Sequence, residues 1–142
     1  VDLIVDGIIF GRQAVGGVRR LHTEVLNRLP VLDADLRIRL VTEGRVEGDL
    51  PRPPGLRRRR VPDLVRLLRP GRLWAPVVPS ATRAARRLAH GPGTGAVWHS
   101  TYYTRPERWD GAEVVTVYDM IHERFADRYT RPRDDELRRR KR

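Results

Sequence analysis

A chain of 142 residues, 39% of them hydrophobic, is long enough for one domain with a real core and too short for two ordinary ones. It contains no cysteine, which excludes disulfides, thiol catalysis and zinc–thiolate sites, and no apolar run approaches the roughly 20 residues that span a bilayer. The formal charge of +11 would point to a polyanionic partner, but every Lys or Arg position except Lys141 is arginine, in a sequence rich in Ala, Gly, Val and Pro, which is the bias a GC-rich genome imposes.

Val1 to Asp6 lacks the basic flank and cleavage site of a signal peptide, so a soluble, cytoplasmic chain is expected. From Asp2 to Phe10, Leu3, Ile4, Val5, Ile8 and Ile9 make a short apolar run of the kind that forms a strand buried on both faces. Gly11, Gly16 and Gly17 then break the chain, and Val18, Leu21, Val25, Leu26 and Leu29 recur at helical spacing until Pro30. Leu36 to Val41 alternates as a second strand near a sheet edge, which completes a βαβ unit. Gly44 to Gly55 reads as an exposed loop, and Leu56 to Val61 as an arginine-studded edge strand whose Arg57 to Arg60 are solvated or face acidic lipid headgroups.

Asp63 is placed to cap a brief helix carrying Leu64, Val65, Leu67 and Leu68. Ser80 is placed to cap another, whose Ala81, Ala84, Ala85 and Leu88 share one face. Gly91-Pro92-Gly93-Thr94-Gly95 follows a helix and lacks the Lys-Ser/Thr ending of a phosphate loop, so a plain turn is expected. Ala96 to His99 and Glu113 to Tyr118 supply two further strands, and Thr130 to Arg142 a last helix whose acids precede its bases, matching the helix dipole. The fold class predicted is α/β: a Rossmann-like, open, mainly parallel sheet with helices on both faces, formed by residues 1–142 as one domain. The last helix stops with one apolar residue, so the chain is expected to be a fragment of something longer.

In such a sheet the loops after the carboxyl ends of the strands line the ligand crevice. Gly16-Gly17 lets a ligand approach the positive end of the following helix, a place for a diphosphate, although two glycines there also suit a tight turn. His99 is followed by Ser100, Thr101, Tyr102 and Tyr103, groups able to hydrogen-bond a sugar or stack on it; the alternative is a satisfied histidine beside core aromatics. Asp119, His122 and Glu123 crowd two carboxylates and an imidazole into five residues at a strand end, where general-base or orienting roles fit. Equally, Asp119 could cap a turn and Glu123 could pair with Arg124. His122-Glu123 opens like a zinc-protease motif, but Ala126 stands where the second histidine belongs; Ser80 and Ser100 lack a nucleophile elbow; and His22, His90, His99 and His122 have no metal-ligand spacing.

Three blocks together resemble the family-four retaining glycosyltransferases of GT-B fold, particularly those of bacterial polysaccharide assembly. They are Asp6 to Phe10 with Arg12-Gln13 and Gly16-Gly17-Val18-x-Arg20, then His99-x-Thr101-Tyr102-Tyr103, then Val114 to Glu123. Arg139 to Arg142 resemble the basic helix before that domain's last strand. The resemblance implies the amino-terminal, acceptor-side half of a two-domain enzyme whose donor-binding half is missing here. It implies metal-independent, retaining transfer from a GDP- or UDP-sugar to a glycan or lipid-linked acceptor, with no further cofactor. By it, Gly16 and Gly17 approach the donor diphosphate, Asp119 and His122 are catalytic, and His99, Thr101, Tyr102, Tyr103 and Glu123 contact acceptor or sugar. It also implies peripheral contact with the inner face of the membrane and no specific nucleic-acid partner. Tyr118 and Arg19 depart from it, since relatives often carry histidine and serine there. Two alternatives stand beside it: a non-catalytic basic module holding nucleic acid or anionic lipid, and another Rossmann-like nucleotide-binding enzyme.

Overall fold

The computed structural model describes residues 1–64, 78–106 and 108–118. Strand β1 (Asp2–Asp6) leads through a short helix α1 (Ile8–Arg12) into α2 (Gly17–Leu32). Strands β2 (Arg37–Glu43) and β3 (Leu56–Val61), helix α3 (Val78–His90), and strands β4 (Ala96–Ser100) and β5 (Ala112–Val115) follow. All five strands pair in parallel in the order β3-β2-β1-β4-β5, with Val5 opposite Leu40 on one side and His99 on the other. The connection from β1 steps towards β2, whereas that from β3 returns across the sheet to β4. The strand order therefore reverses between β1 and β4, and helices flank both faces, as a Rossmann-like sheet requires.

Each strand supplies both layers because successive side chains point to opposite faces. Val5, Ile38 and Leu40 pack with Ile9, Phe10 and Leu26 beneath α2. Ile4, Val41, Val61, Ala96 and Trp98 pack on the other face with Ala85 and Ala89 of α3. Full burial of side chains such as Phe10, Ile4 and Leu26 contributes about 1.5–3 kcal/mol each. The second layer is pinned further where Arg39 of β2 donates to the His90 carbonyl at the end of α3 (2.7 Å).

Several elements differ from the sequence expectation for identifiable reasons. The first strand stops at Asp6, not Phe10. Gly7 passes so close to β2 that a Cβ there would lie 2.8 Å from Thr42 Cγ2 and the Val41 carbonyl, and the chain turns into α1. The Ile8 N–H donates to Asp6 Oδ1 (2.7 Å) and the Ile9 N–H to Thr101 Oγ1 (3.3 Å), so two free ends of that turn are satisfied by side chains. Helix α2 runs past Pro30 to Leu32, because a proline in the last turn forfeits one bond while Asp33 N–H still closes on the Leu29 carbonyl (3.0 Å). Strand β2 lies one place inside the edge, and β3 holds the edge position as expected, with Arg57 to Arg60 all exposed.

Helix α3 begins two residues before Ser80, which is therefore inside it and not its cap. Its core-facing residues are Ala85 and Ala89; Ala84 is exposed and Leu88 is 85% exposed, so the apolar stripe is rotated from the expected one. Strand β5 ends at Val115 as an exposed edge. Gly91 to Gly95 is a turn between α3 and β4, as expected. The helix expected after Asp63 falls mainly on residues 65–77, and that of residues 130–142 wholly on 119–142; both lie outside the described residues. Among the described residues no helix is long and apolar enough to cross a membrane.

Candidate functional site

The strand-order reversal leaves a crevice outside the carboxyl ends of β1 and β4, and chemically useful side chains gather there on both faces. On the α2 face, the loop after β4 is closed by Ser100, whose Oγ accepts the Thr104 N–H (2.7 Å). This turn holds Tyr103 at φ 55°, a left-handed conformation that costs a non-glycine residue on the order of 1–2 kcal/mol. The Tyr103 hydroxyl accepts the Tyr118 N–H (3.3 Å), which fastens the β4 loop to the chain leaving β5. Tyr102 stands 5.8 Å from Tyr103, ring centre to ring centre, with the Arg12 guanidinium 4.8 Å above its face.

Beneath these rings lies a polar chain that sequence reading missed. His22, buried on α2, is hydrogen-bonded through Nε2 to the Tyr118 hydroxyl, and that hydroxyl donates to the Thr101 carbonyl (2.7 Å). Since the tyrosine proton goes to Thr101, Nε2 of His22 carries the other proton and Nδ1 keeps a lone pair. That buried Nδ1 has no partner among the described residues. Burial, helped by the neighbouring His99 ring 5.3 Å away, pushes His22 down to about 4. His99 is lowered by burial as well, and its Nε2 meets Thr116 Oγ1 at 3.1 Å. Burial and the neighbouring Tyr103 raise the Tyr118 hydroxyl. At neutral pH the His22, His99 and Tyr118 cluster is therefore uncharged imidazole and hydroxyl.

The expected site residues are distributed unevenly around it. His99, Tyr102 and Tyr103 are half-buried at the crevice, whereas Thr101 is wholly buried and its hydroxyl supports α1. Gly16 caps α2 with no side-chain hydrogen bond, no acid occupies the first turn, and nothing approaches within 4 Å of the place a Gly17 Cβ would take. The positive end of this 16-residue helix therefore carries no acid and no side-chain cap, although Gln13 Oε1 lies 2.5 Å from where a Gly16 Cβ would be. Asp119, His122 and Glu123 lie outside the described residues.

Arg19, where the sequence departs from the resemblance, is buried and committed to the fold. It donates to the carbonyls of Phe10 (3.3 Å), Gln13 (2.9 Å) and Asp49, with its guanidinium 5.0 Å from the Phe10 ring centre.

On the α3 face, Asp6 ends β1 inside a cleft of about 190 Å³. Burial pushes its carboxyl from the usual 3.8 up to about 7, with nearby Glu43 adding to the rise while the Ile8 N–H and the Arg12 and Arg86 guanidinium groups oppose it. Glu43, at the end of β2, takes a two-pronged contact from Arg86, one prong through Nη2 at 2.9 Å. His90, half-buried, packs edge-on against Trp98 with ring centres 4.7 Å apart and is lowered chiefly by burial. Sequence reading missed this cleft: Asp6 sits within an apolar run that reads as continuing to Phe10, and the signal for the cationic lining is the recurrence of Arg83, Arg86, Arg87 and His90 at i, i+3, i+4 and i+7 of one helix. Among the described residues, no three His, Cys, Asp or Glu side chains converge as a metal ion would need.

No known protein family, curated protein or solved structure matches this chain.

Proposed function

We propose that the chain is the acceptor-side half of a retaining, nucleotide-sugar-dependent glycosyltransferase acting in bacterial polysaccharide assembly. The observations that carry this are an α2 amino terminus at Gly16-Gly17 without a side-chain cap and, at the strand-order reversal, a cluster of His22, which α2 itself carries, with His99, Tyr102, Tyr103 and Tyr118. A diphosphate suits the first, because its charge meets unpaired backbone N–H groups. A sugar suits the second, because imidazoles and phenols pair with hydroxyls while the tyrosine faces accept C–H surfaces. Asp119 and His122 act on the reacting sugar, with Glu123 beside it, and a second domain binds most of the GDP- or UDP-sugar. The acceptor is a glycan or a lipid-linked glycan, met at the inner face of the membrane.

The exposed run Arg57 to Arg60 favours a second possibility, a basic module that holds anionic lipid or nucleic acid without catalysis. The two separate in one experiment. The full-length gene product is screened with nucleotide sugars for nucleotide release by mass spectrometry, chelator present. Release that disappears in Asp119→Ala or His122→Ala supports glycosyl transfer. A folded protein that releases nothing with plausible acceptors, yet binds polyanions tightly at physiological salt, supports the basic module.

A further inference from the structure

The cleft on the α3 face holds chemistry that the crevice on the other face leaves unused. Among the described residues, four guanidinium groups, those of Arg83, Arg86, Arg87 and Arg105, line it with two carboxylates, Asp6 and Glu43, while Arg105 pairs with Glu113 of β5 (2.9 Å). Counting Glu113, these cations still outnumber the carboxylates by one. Glu43 is already engaged by Arg86, and Arg83, exposed on the same stripe of α3, has no carboxylate partner among the described residues. Burial, helped by Glu43 and opposed by the Ile8 N–H, Arg12 and Arg86, keeps Asp6 largely protonated below neutral pH, so it offers an O–H there more than a competing charge.

The inner wall is Ile8, Val41 and Trp98, and low-dielectric walls strengthen the field of the cations facing them. The volume, about 190 Å³, is below the roughly 300–1,000 Å³ of sites that take drug-sized ligands. It is too small for a whole nucleotide and larger than a bare phosphate fills. We propose that this cleft binds a small phosphomonoester of a hydroxylated molecule, a sugar or polyol phosphate, with its phosphate on the arginines of α3 and its hydroxyls towards the ends of β1 and β2. This concerns binding alone and stands whether or not the chain takes part in sugar transfer.

The test is calorimetric titration of the 142-residue chain with glucose 6-phosphate, with glucose, and with phosphatidylcholine vesicles carrying phosphatidic acid. Glucose 6-phosphate should bind and glucose should not. Arg83→Ala should weaken binding about tenfold, the loss of one charge-assisted contact, and Arg83→Glu more. The paired variant Arg57→Ala with Arg58→Ala, which removes equal or greater charge from edge strand β3 at positions that do not line the cleft, should change it less than about twofold. Because Arg83 is exposed, its variants should keep the wild-type circular dichroism, which is checked alongside. Equal weakening by the α3 and β3 variants would overturn the site in favour of diffuse charge. Absence of glucose 6-phosphate binding would overturn it outright, and so would vesicle binding that depends on Arg57 and Arg58 alone, which would assign the phosphate chemistry to a lipid surface.

Discussion

Replacing Asp6 by asparagine should change how stability depends on pH in a direction fixed by burial. The carboxyl is 8% exposed and is raised from 3.8 to about 7 chiefly because burial disfavours its charged form. Between those values the folded chain holds a proton that the unfolded chain has released, so stability falls as pH rises through the window. The contribution is fully present below 3.8 and gone above about 7. At about 1.4 kcal/mol per pH unit the whole effect is at most about 4 kcal/mol, and relaxation with water entry brings it nearer 2. Asparagine keeps the oxygen that accepts the Ile8 N–H but cannot ionise. The quantity to measure is the difference in urea-unfolding free energy between Asp6→Asn and wild type at pH 4.5 and pH 8, which cancels every other titrating group. The variant should gain about 2–3 kcal/mol relative to wild type between the two. Parallel stability profiles, or a relative loss at pH 8, would refute the claim that burial governs this carboxyl.

The same logic runs with opposite sign at His22, which is lowered from 6.5 to about 4: its contribution is present above 6.5 and is lost as pH falls towards 4. Its ring signals in a nuclear magnetic resonance titration should stay neutral down to about pH 5, and a midpoint near 6.5 would contradict the buried pairing with Tyr118. Gly7→Ala should cost about 1–3 kcal/mol, because the added Cβ meets Thr42 and the Val41 carbonyl, whereas Gly17→Ala, with open space around it, should leave thermal unfolding nearly unchanged. Arg19→Ala should cost about 3 kcal/mol in denaturant unfolding by orphaning three carbonyls, with Arg19→Lys recovering only part of it.

The sheet was legible because each strand announces itself locally, by a doubly apolar run at Leu3 to Val5 or by alternation from Leu36 to Val41. What local pattern could not convey was closeness in space. Ile8, Ile9 and Phe10 continue the apolar run of β1, and only contact of Gly7 with β2 and of Ile9 with Thr101 turns them into a helix. The alanines of α3 were visible, but which of them face Ile4 and Trp98 depends on where the helix docks. His99, Tyr102 and Tyr103 could be found from their place after a strand. His22 could not, because a histidine six residues into an amphipathic helix looks like any core side chain until Tyr118, 96 positions later, meets it. Arg19 likewise looks like surface charge until its three carbonyl partners fold around it.

The central claim is that ligand binds outside the carboxyl ends of β1 and β4. Its most direct test follows the backbone amide signals of the chain as a GDP- or UDP-sugar and then a candidate acceptor glycan are added. The account predicts that shifts concentrate at Gly16, Gly17, His99, Tyr102 and Tyr103, with Arg57 to Arg60 unmoved. Shifts confined to the β3 arginines, or spread evenly over the surface, would contradict it.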